Sequence, residues 1–238
     1  MDPTPAAAVE PPADLYCLDG AHLERFLQRK KAGPWLPEEI DLGLQLRTIL
    51  EKARQLVPSE AGSILLDDPL QKTSDRSGNE LCFVTSFGPA AVSLPGTRMS
   101  ASRGIAGKVY RTGEPHLAVD VRADASFSPE VDRATGYVTH SVVAVPITIG
   151  TTVCGLIELV DRPGGAAFGE RDLALLEIFA GYTSSTLQNA LDAKRASELA
   201  RRDDLSGLLN DRWLHHCLVE MIEEAAAAGE PCALIFFD

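Results

Sequence analysis

The sequence predicts an α+β fold in which one antiparallel sheet is flanked by helices and followed by a long C-terminal helix. Strand-like segments, enriched in β-branched residues, form a meander between two helical patterns. The last two segments flank Gly150-Thr151, a two-residue hairpin signal that makes them antiparallel neighbours. The predicted strands are 61–66, 81–86, 116–119, 141–149 and 152–160.

The helical pattern before the strands begins at Pro37. Proline suits the first turn of a helix, and Glu38 and Glu39 stand near the positive end of its dipole. The apolar face comprises Ile40, Leu44, Ile49, Leu50, Ala53 and Leu56. Residues 1–36, rich in proline and alanine at their start, are expected to form a partly disordered leader.

Composition limits the partners of this chain. Of its 238 residues, 45% are hydrophobic and 24% are charged, which is enough for one complete domain with extensions. The formal net charge of -12 argues against binding to nucleic acid or anionic lipid, because phosphate groups are bound by basic clusters. The sequence has no apolar run of the roughly 20 residues that cross a bilayer. We therefore expect a cytoplasmic protein with no nucleic-acid and no membrane partner.

The helical pattern after the strands covers 170–202 without a proline. Apolar or small residues recur along it at spacings of three and four, which is one narrow stripe. They are Leu173, Leu176, Ala180, Thr183, Leu187 and Ala190. At about 1.5 Å per residue the helix would be roughly 50 Å long, more than one small domain needs. We interpret it as a connector that pairs with its copy in a parallel homodimer. The alternative is a solvated terminal helix packed only on its own domain.

Two segments between the strands are candidates for a binding site. The small residues of Gly104-Ile105-Ala106-Gly107 allow close approach of the backbone to a ligand or another element. Residues 120–140, with a predicted short helix at 129–134, form a long insertion over the sheet. Such insertions often form the lid of a pocket.

A set of spaced motifs in these segments resembles the GAF domain family. The resemblance covers 37–191 and is to the cyclic-nucleotide-binding GAF domains of phosphodiesterases and some adenylyl cyclases. The motifs that carry it are Gly104-Ile105-Ala106-Gly107, Thr112-Gly113-Glu114-Pro115, Asp120, Phe127, Asp132, Thr135-Gly136-Tyr137, Thr139 and Val145-Pro146-Ile147.

The resemblance implies a small-molecule effector, cyclic AMP or cyclic GMP, in a pocket under the lid. Helix-start N–H groups attract a phosphate, and threonine hydroxyls hydrogen-bond to a purine or a phosphate oxygen. The implied pocket residues are Ser86, Phe87, Ile105, Ala106, Thr135 and Thr139.

A family motif written NKFDE follows the last strand, and its lysine and aspartate are thought to hold the lid shut. Here Asp161-Arg162 replaces Asn-Lys, Phe168 and Asp172 match, and Leu173 replaces the glutamate. The resemblance thus implies a lid ion pair between Arg162 and Asp172, since guanidinium binds a carboxylate with two parallel hydrogen bonds. The alternative is that these residues only close a surface loop.

Residues 203–238 resemble the start of a GGDEF domain, the catalytic domain of diguanylate cyclases. The motif is Asp203-x-Leu205-Ser206-Gly207-Leu208-x-Asn210-x-Arg212, in which Asn210 suits a helix N-cap. A helix ending before Gly229 and a buried strand at 232–237 are expected next, with Asp238 at the strand's end. In the family, an aspartate there binds magnesium beside GTP.

The hypothesis for the chain is a GAF sensor at 37–191, a helical connector at 192–202 and an incomplete GGDEF start. The sensor would regulate a C-terminal diguanylate cyclase that makes cyclic di-GMP from two GTP. The 238 residues themselves are expected to be inactive and to need no cofactor, because the signature half of the catalytic domain is missing; magnesium is expected for a complete one. The alternative is a stand-alone cyclic-nucleotide-binding or dimerisation GAF module without enzymatic activity.

Overall fold

The computed structural model describes residues 14–27, 41–203 and 205–235. These residues fall into two units, divided between Leu191 and Asp192. Two predicted features, the helix start at Pro37 and the magnesium ligand Asp238, lie outside the described residues. Most of the leader lies outside them as well.

The first unit is built on one sheet of seven strands in which every neighbouring pair is antiparallel. The strand order is β1-β3-β2-β7-β6-β5, with β4 paired to β3. All five predicted strands are confirmed to within one residue at each end, whereas β1 and β4, of three residues each, were not predicted. The strands are β1 (Leu15–Cys17), β2 (Ala61–Asp67), β3 (Glu80–Phe87), β4 (Arg98–Ser100), β5 (His116–Ala118), β6 (Val142–Ile149) and β7 (Thr152–Val160).

Helices pack on both faces of this sheet or follow it. They are α1 (Gly20–Leu27), α2 (Leu42–Leu56), α3 (Gly104–Thr112), α4 (Glu130–Thr135), α5 (Glu170–Arg201) and α6 (Asp211–Ala228). The helix α2 begins after Asp41, whose carboxylate accepts a hydrogen bond of 2.8 Å from the Leu44 amide. Asp41 therefore acts as the N-cap of α2 in the described part of the chain.

Successive strand residues point to opposite sides of the sheet, and both faces are buried. Leu66, Val84 and Ile157 pack with α2 and α5, and we call this side the helical face. Leu65 and Leu156 pack with α3 and with residues 120–140, which we call the lid, and we call this side the lid face. Helices and sheet together give the expected α+β architecture.

The helix α5 is continuous from Glu170 to Arg201, as predicted. Its stripe is buried at Leu176, Ala180 and Leu187, which belong to the core of the helical face. A helix of 32 residues is roughly 48 Å long.

The second unit contains α6, capped by Asn210, whose side chain accepts a hydrogen bond of 2.9 Å from the Trp213 amide. The helix ends at Gly229 in the left-handed conformation, as the sequence predicts. The buried strand predicted at 232–237 is wrong for its described part, because residues 232–235 have no regular structure and Ile235 is 72% exposed. An apolar segment without a partner strand has no hydrogen-bond ladder to join and no core to enter.

Candidate functional site

The candidate site is a cleft between the lid face of the sheet and the lid. It consists of two adjoining cavities of about 60 and 90 Å³. Their shared walls are Phe83, Glu158 and Val160 on the strands and Val131, Asp132 and Thr139 on the lid. The lid helix α4 therefore forms the roof, and β3 and β7 form the floor.

The start of α3 forms one end of the cleft, where Gly104, Ile105 and Ala106 line the larger cavity. Gly104 has a φ of +72°, which favours glycine. No side chain caps this helix, since the N-cap residue Arg103 makes no capping hydrogen bond. The free N–H groups and the positive end of the helix dipole make this end suited to an anion.

Gly107 allows α3 to lie against the segment that precedes it. A Cβ at this position would stand 2.5 Å from the Ala101 carbonyl oxygen, closer than real Cβ atoms come. Glycine is therefore required here for the helix start to reach the cleft.

Glu158 provides a carboxyl group on the floor. It lies beside Ser63 of β2 and Ala144 of β6 in the sheet register, and it lines both cavities. Burial raises the pKa of Glu158 from 4.5 to about 7, and no hydrogen bond to another described residue offsets that effect. Its carboxyl is thus available to a ligand as a hydrogen-bond acceptor, or as a donor when it is protonated.

Asp132 and Thr139 are bonded to each other on the lid. The Asp132 carboxylate accepts hydrogen bonds from the Thr139 amide at 2.9 Å and from the Thr139 hydroxyl at 2.7 Å. Thr135 donates its hydroxyl to the Val131 carbonyl at 2.9 Å. The two threonine hydroxyls therefore hold the lid in shape, and both are engaged within it.

The structure places five of the six predicted pocket residues around the cleft. Phe87 and Thr135 line one cavity, Ile105 and Ala106 line the other, and Thr139 lines both. Ser86 does not line either cavity. Its hydroxyl lies 3.0 Å from that of Ser63, which does line the cleft, so the Ser86 hydroxyl is engaged with the neighbouring strand.

Sequence reasoning missed Glu158 and did not assign Asp132 to the wall. A signal for Glu158 was present, since it is the one charged residue in the otherwise apolar segment 153–160. Its alternation with Leu156 and Val160 places it on the lid face. A lone carboxylate on an inward-facing strand position is costly unless it has a partner or a function.

The Arg162–Asp172 pair exists but does not hold the lid. Arg162 Nη1 lies 2.5 Å from Asp172 Oδ2, which also accepts a hydrogen bond of 2.9 Å from the Gly169 amide. The pair therefore closes the loop between β7 and α5. Within the described residues, neither side chain hydrogen-bonds to the lid, which is bonded instead to the preceding residue, Asp161.

Two further observations concern the described residues. Their His, Cys, Asp and Glu side chains form no cluster of three or more arranged to hold a metal ion. None of their helices has the length and apolar character required to span a membrane.

Comparisons with known proteins agree with this geometry. The family model described as GAF domain matches residues 45–188. The chain is 37% identical over 103 residues to the probable 3',5'-cyclic phosphodiesterase pde-5 of Caenorhabditis elegans. It is 31% identical over 113 residues to the dual 3',5'-cyclic-AMP and -GMP phosphodiesterase 11 of Drosophila melanogaster. These matches cover 42% and 47% of this chain, but only 14% and 8% of the two relatives.

A solved structure shows the same fold. The GAF domain of an Acinetobacter phosphoenolpyruvate-protein phosphotransferase matches with a TM-score of 0.52 at 17% identity, over 73% of this chain and 94% of that one. Because the family model matches more than half of the 238 residues, and the seven-stranded sheet with its lidded cleft agrees with it, this chain belongs to the GAF domain family.

Proposed function

We propose that this chain is a cytoplasmic sensor whose cleft binds a cyclic nucleotide, cyclic AMP or cyclic GMP. The observation that carries the proposal is that one cleft holds both an uncapped helix start and a half-buried carboxyl without a hydrogen-bond partner among the described residues. A cyclic nucleotide has an anionic phosphate for the helix N–H groups. It also has ribose hydroxyl and base N–H groups that hydrogen-bond to a carboxyl.

The comparisons support the same ligand class. Two relatives named as cyclic nucleotide phosphodiesterases match 42% and 47% of this chain. The apolar walls of the cleft, which include Phe83 and Phe87, suit the faces of a purine.

The strand β7 connects the cleft with α5. Glu158 points to the lid face, whereas its neighbours Ile157 and Leu159 belong to the core that α5 completes on the helical face. Interiors are close-packed, so a ligand that displaces Glu158 also displaces these neighbours. We therefore propose that occupancy of the cleft is transmitted through β7 to α5.

The proposed output is a diguanylate cyclase that follows α5 in the full-length protein. Support comes from the motif that starts at Asp203 and from the Asn210 cap that begins α6. Exposed apolar residues on α6, such as Met221 and Ile222, are a surface that further sequence of this domain would cover. Two such domains must meet over two GTP molecules, so the geometry of α5 would control the rate.

A second candidate is a GAF module that only dimerises. Ile178 is 54% exposed and Tyr182 is 60% exposed on α5, although both are large and apolar. Their exposure favours contact with a second copy of the helix. This candidate differs from the sensor in requiring no ligand.

A thermal unfolding screen of the 238-residue chain tests the sensor. We expect cyclic AMP or cyclic GMP, at about 100 times its dissociation constant, to stabilise the protein by roughly 2.7 kcal/mol. The controls are 5'-AMP and adenosine, which carry an open phosphate or none, and cyclic di-GMP, the proposed product. An unchanged melting temperature with both cyclic mononucleotides would exclude the cyclic-nucleotide sensor.

A second experiment tests the proposed output. The full-length protein is assayed for conversion of GTP with and without the stabilising nucleotide, and absence of cyclic di-GMP would exclude the proposed output.

A further inference from the structure

The cleft must expand before a ligand enters. Its cavities of about 60 and 90 Å³ are well below the roughly 300–1,000 Å³ of typical ligand pockets. The roof residues Val131, Asp132 and Thr135 belong to the lid, whereas the floor belongs to the central strands of the sheet. The lid is therefore the part that moves, and the contacts that hold it determine entry and exit.

The C-terminal end of the lid is bonded to one buried residue, Asp161. Its Oδ1 accepts hydrogen bonds from the amides of His140 at 2.8 Å and Ser141 at 2.7 Å. Its Oδ2 accepts one from the Tyr137 hydroxyl at 2.9 Å. Asp161 is only 6% exposed, and its φ of +50° is a left-handed conformation that aspartate tolerates better than most residues. The carboxylate is thus held where the lid meets the sheet.

Tyr137 is the contact that releases most readily. The two backbone amides lie next to β6 and move with it, whereas Tyr137 stands on the lid and lines the cleft. Its hydroxyl also lies 3.2 Å from Glu60 Oε2. A phenol has one hydrogen to donate, so it binds Asp161 or Glu60 but not both. Burial, followed by the bond to Asp161, raises the pKa of Tyr137, so the hydroxyl remains a donor.

We propose that Tyr137 and Asp161 form the latch of the lid, and that a ligand enters and leaves when the Tyr137 hydroxyl separates from the Asp161 carboxylate. Both are positioning residues, because they act on the ligand through the lid. The inference rests on the proposed function for its ligand but not for the latch itself. It assigns lid closure to Asp161 rather than to the Arg162–Asp172 pair, which spans the loop before α5.

Tyr137→Phe tests the latch because it removes one hydroxyl and keeps the ring in the cleft wall. In the ligand-free chain, we expect hydrogen exchange of the Gly136 and Thr139 amides, which are bonded to Asp132, to become about two- to tenfold faster. Exchange in α3 should not change. With the cyclic nucleotide that stabilises the protein, the dissociation rate should rise by a similar factor.

Two control variants distinguish the opening of the latch from a general loss of stability. Arg162→Gln removes the loop ion pair, and Glu60→Gln removes the charge of the second, exposed acceptor. We expect both to leave lid exchange and ligand dissociation within about twofold of the wild type, because neither variant removes a hydrogen bond between the lid and Asp161. Unchanged lid exchange in Tyr137→Phe would overturn the proposal, as would faster exchange in Arg162→Gln alone. If no cyclic nucleotide binds, the proposed function fails, while the exchange measurement still decides the latch.

Discussion

At the scale of single residues, the Glu158 carboxyl lies in surroundings that differ from water. It stands in a strand of apolar residues, faces the cleft, and lacks a partner among the described residues. Removal from water disfavours the charged form, which is why its pKa is raised. A position that only stabilised the fold would be better served by an apolar residue. The carboxyl therefore indicates binding.

The raised pKa of Glu158 predicts a specific dependence of stability on pH. Because its pKa is about 7 in the folded protein and about 4.5 in the unfolded chain, the folded protein binds more protons between these values. The free energy of unfolding should therefore fall as pH rises through this window. Glu158→Gln should remove that loss and become more stable than the wild type by up to about 3 kcal/mol above pH 7.

Urea unfolding of both proteins from about pH 5 to about pH 8 measures the difference. Ser86→Ala is a useful control, since it alters the same row of the sheet without changing a charge. Parallel stability curves for wild type and Glu158→Gln would show that the carboxyl ionises in the folded protein as it does in water.

The sequence predicted the site residues on helices and strands better than the hydrogen bonds that the lid residues make. Ile105 and Ala106 were placed correctly because a glycine-rich helix start is visible in the sequence. Ser86 was misplaced because its hydroxyl meets that of Ser63 on the neighbouring strand, and Ser63 lines the cleft in its place. The bonds from Thr139 to Asp132 and from Tyr137 to Asp161 depend on the path of the lid, which no periodic pattern specifies.

At the scale of elements, long periodic segments were predicted well, whereas the short strands β1 and β4 were missed. The helix α5 and the hairpin of β6 and β7 repeat their pattern over many residues. The strands β1 and β4 have three residues each, too few for an alternation to be recognised. The apolar segment at 232–235 has strand composition but no neighbouring strand, and composition alone does not form a ladder.

The helix α3 depends on glycine at one position, and this yields a prediction. In Gly107→Ala the new Cβ meets the backbone of Ala101, so α3 must shift away from the segment before it. We expect a loss of roughly 1–3 kcal/mol in the free energy of unfolding, as for other overpacked sites, and weaker binding of the cyclic nucleotide. Urea unfolding and titration with the nucleotide measure the two effects.

The matched control is Gly181→Ala on α5. No atom lies within 4 Å of a Cβ built there, so alanine should stabilise the helix by up to about 1 kcal/mol. Substitution of glycine by alanine is thus expected to lower the free energy of unfolding at Gly107 and to raise it at Gly181. A Gly107→Ala variant as stable as the wild type would mean that α3 is not held against Ala101.

At the scale of the whole first unit, the sheet separates the cleft from α5. The lid face carries the cleft, and the helical face carries α2 and α5. Side chains of β7 point alternately to the two faces of the sheet. Because the interior is close-packed, a displacement of β7 on the lid face also displaces its residues on the helical face. The part of α5 that packs on the sheet therefore lies on the face opposite the cleft.

The exposed apolar residues of α5 lead to the last prediction, which concerns two copies of the chain. Ile178 and Tyr182 lie one helical turn apart on the face opposite the buried stripe. In a parallel pair of α5 helices these residues would meet their own copies. We expect the wild-type chain to sediment as a dimer and Tyr182→Glu to sediment as a monomer, because two buried carboxylates would then face each other. Val92→Glu is the matched control, since Val92 is 71% exposed on a loop and its substitution should leave the dimer intact. A wild-type chain that remains monomeric at high concentration would refute the α5 dimer, and with it the control of the output by helix pairing.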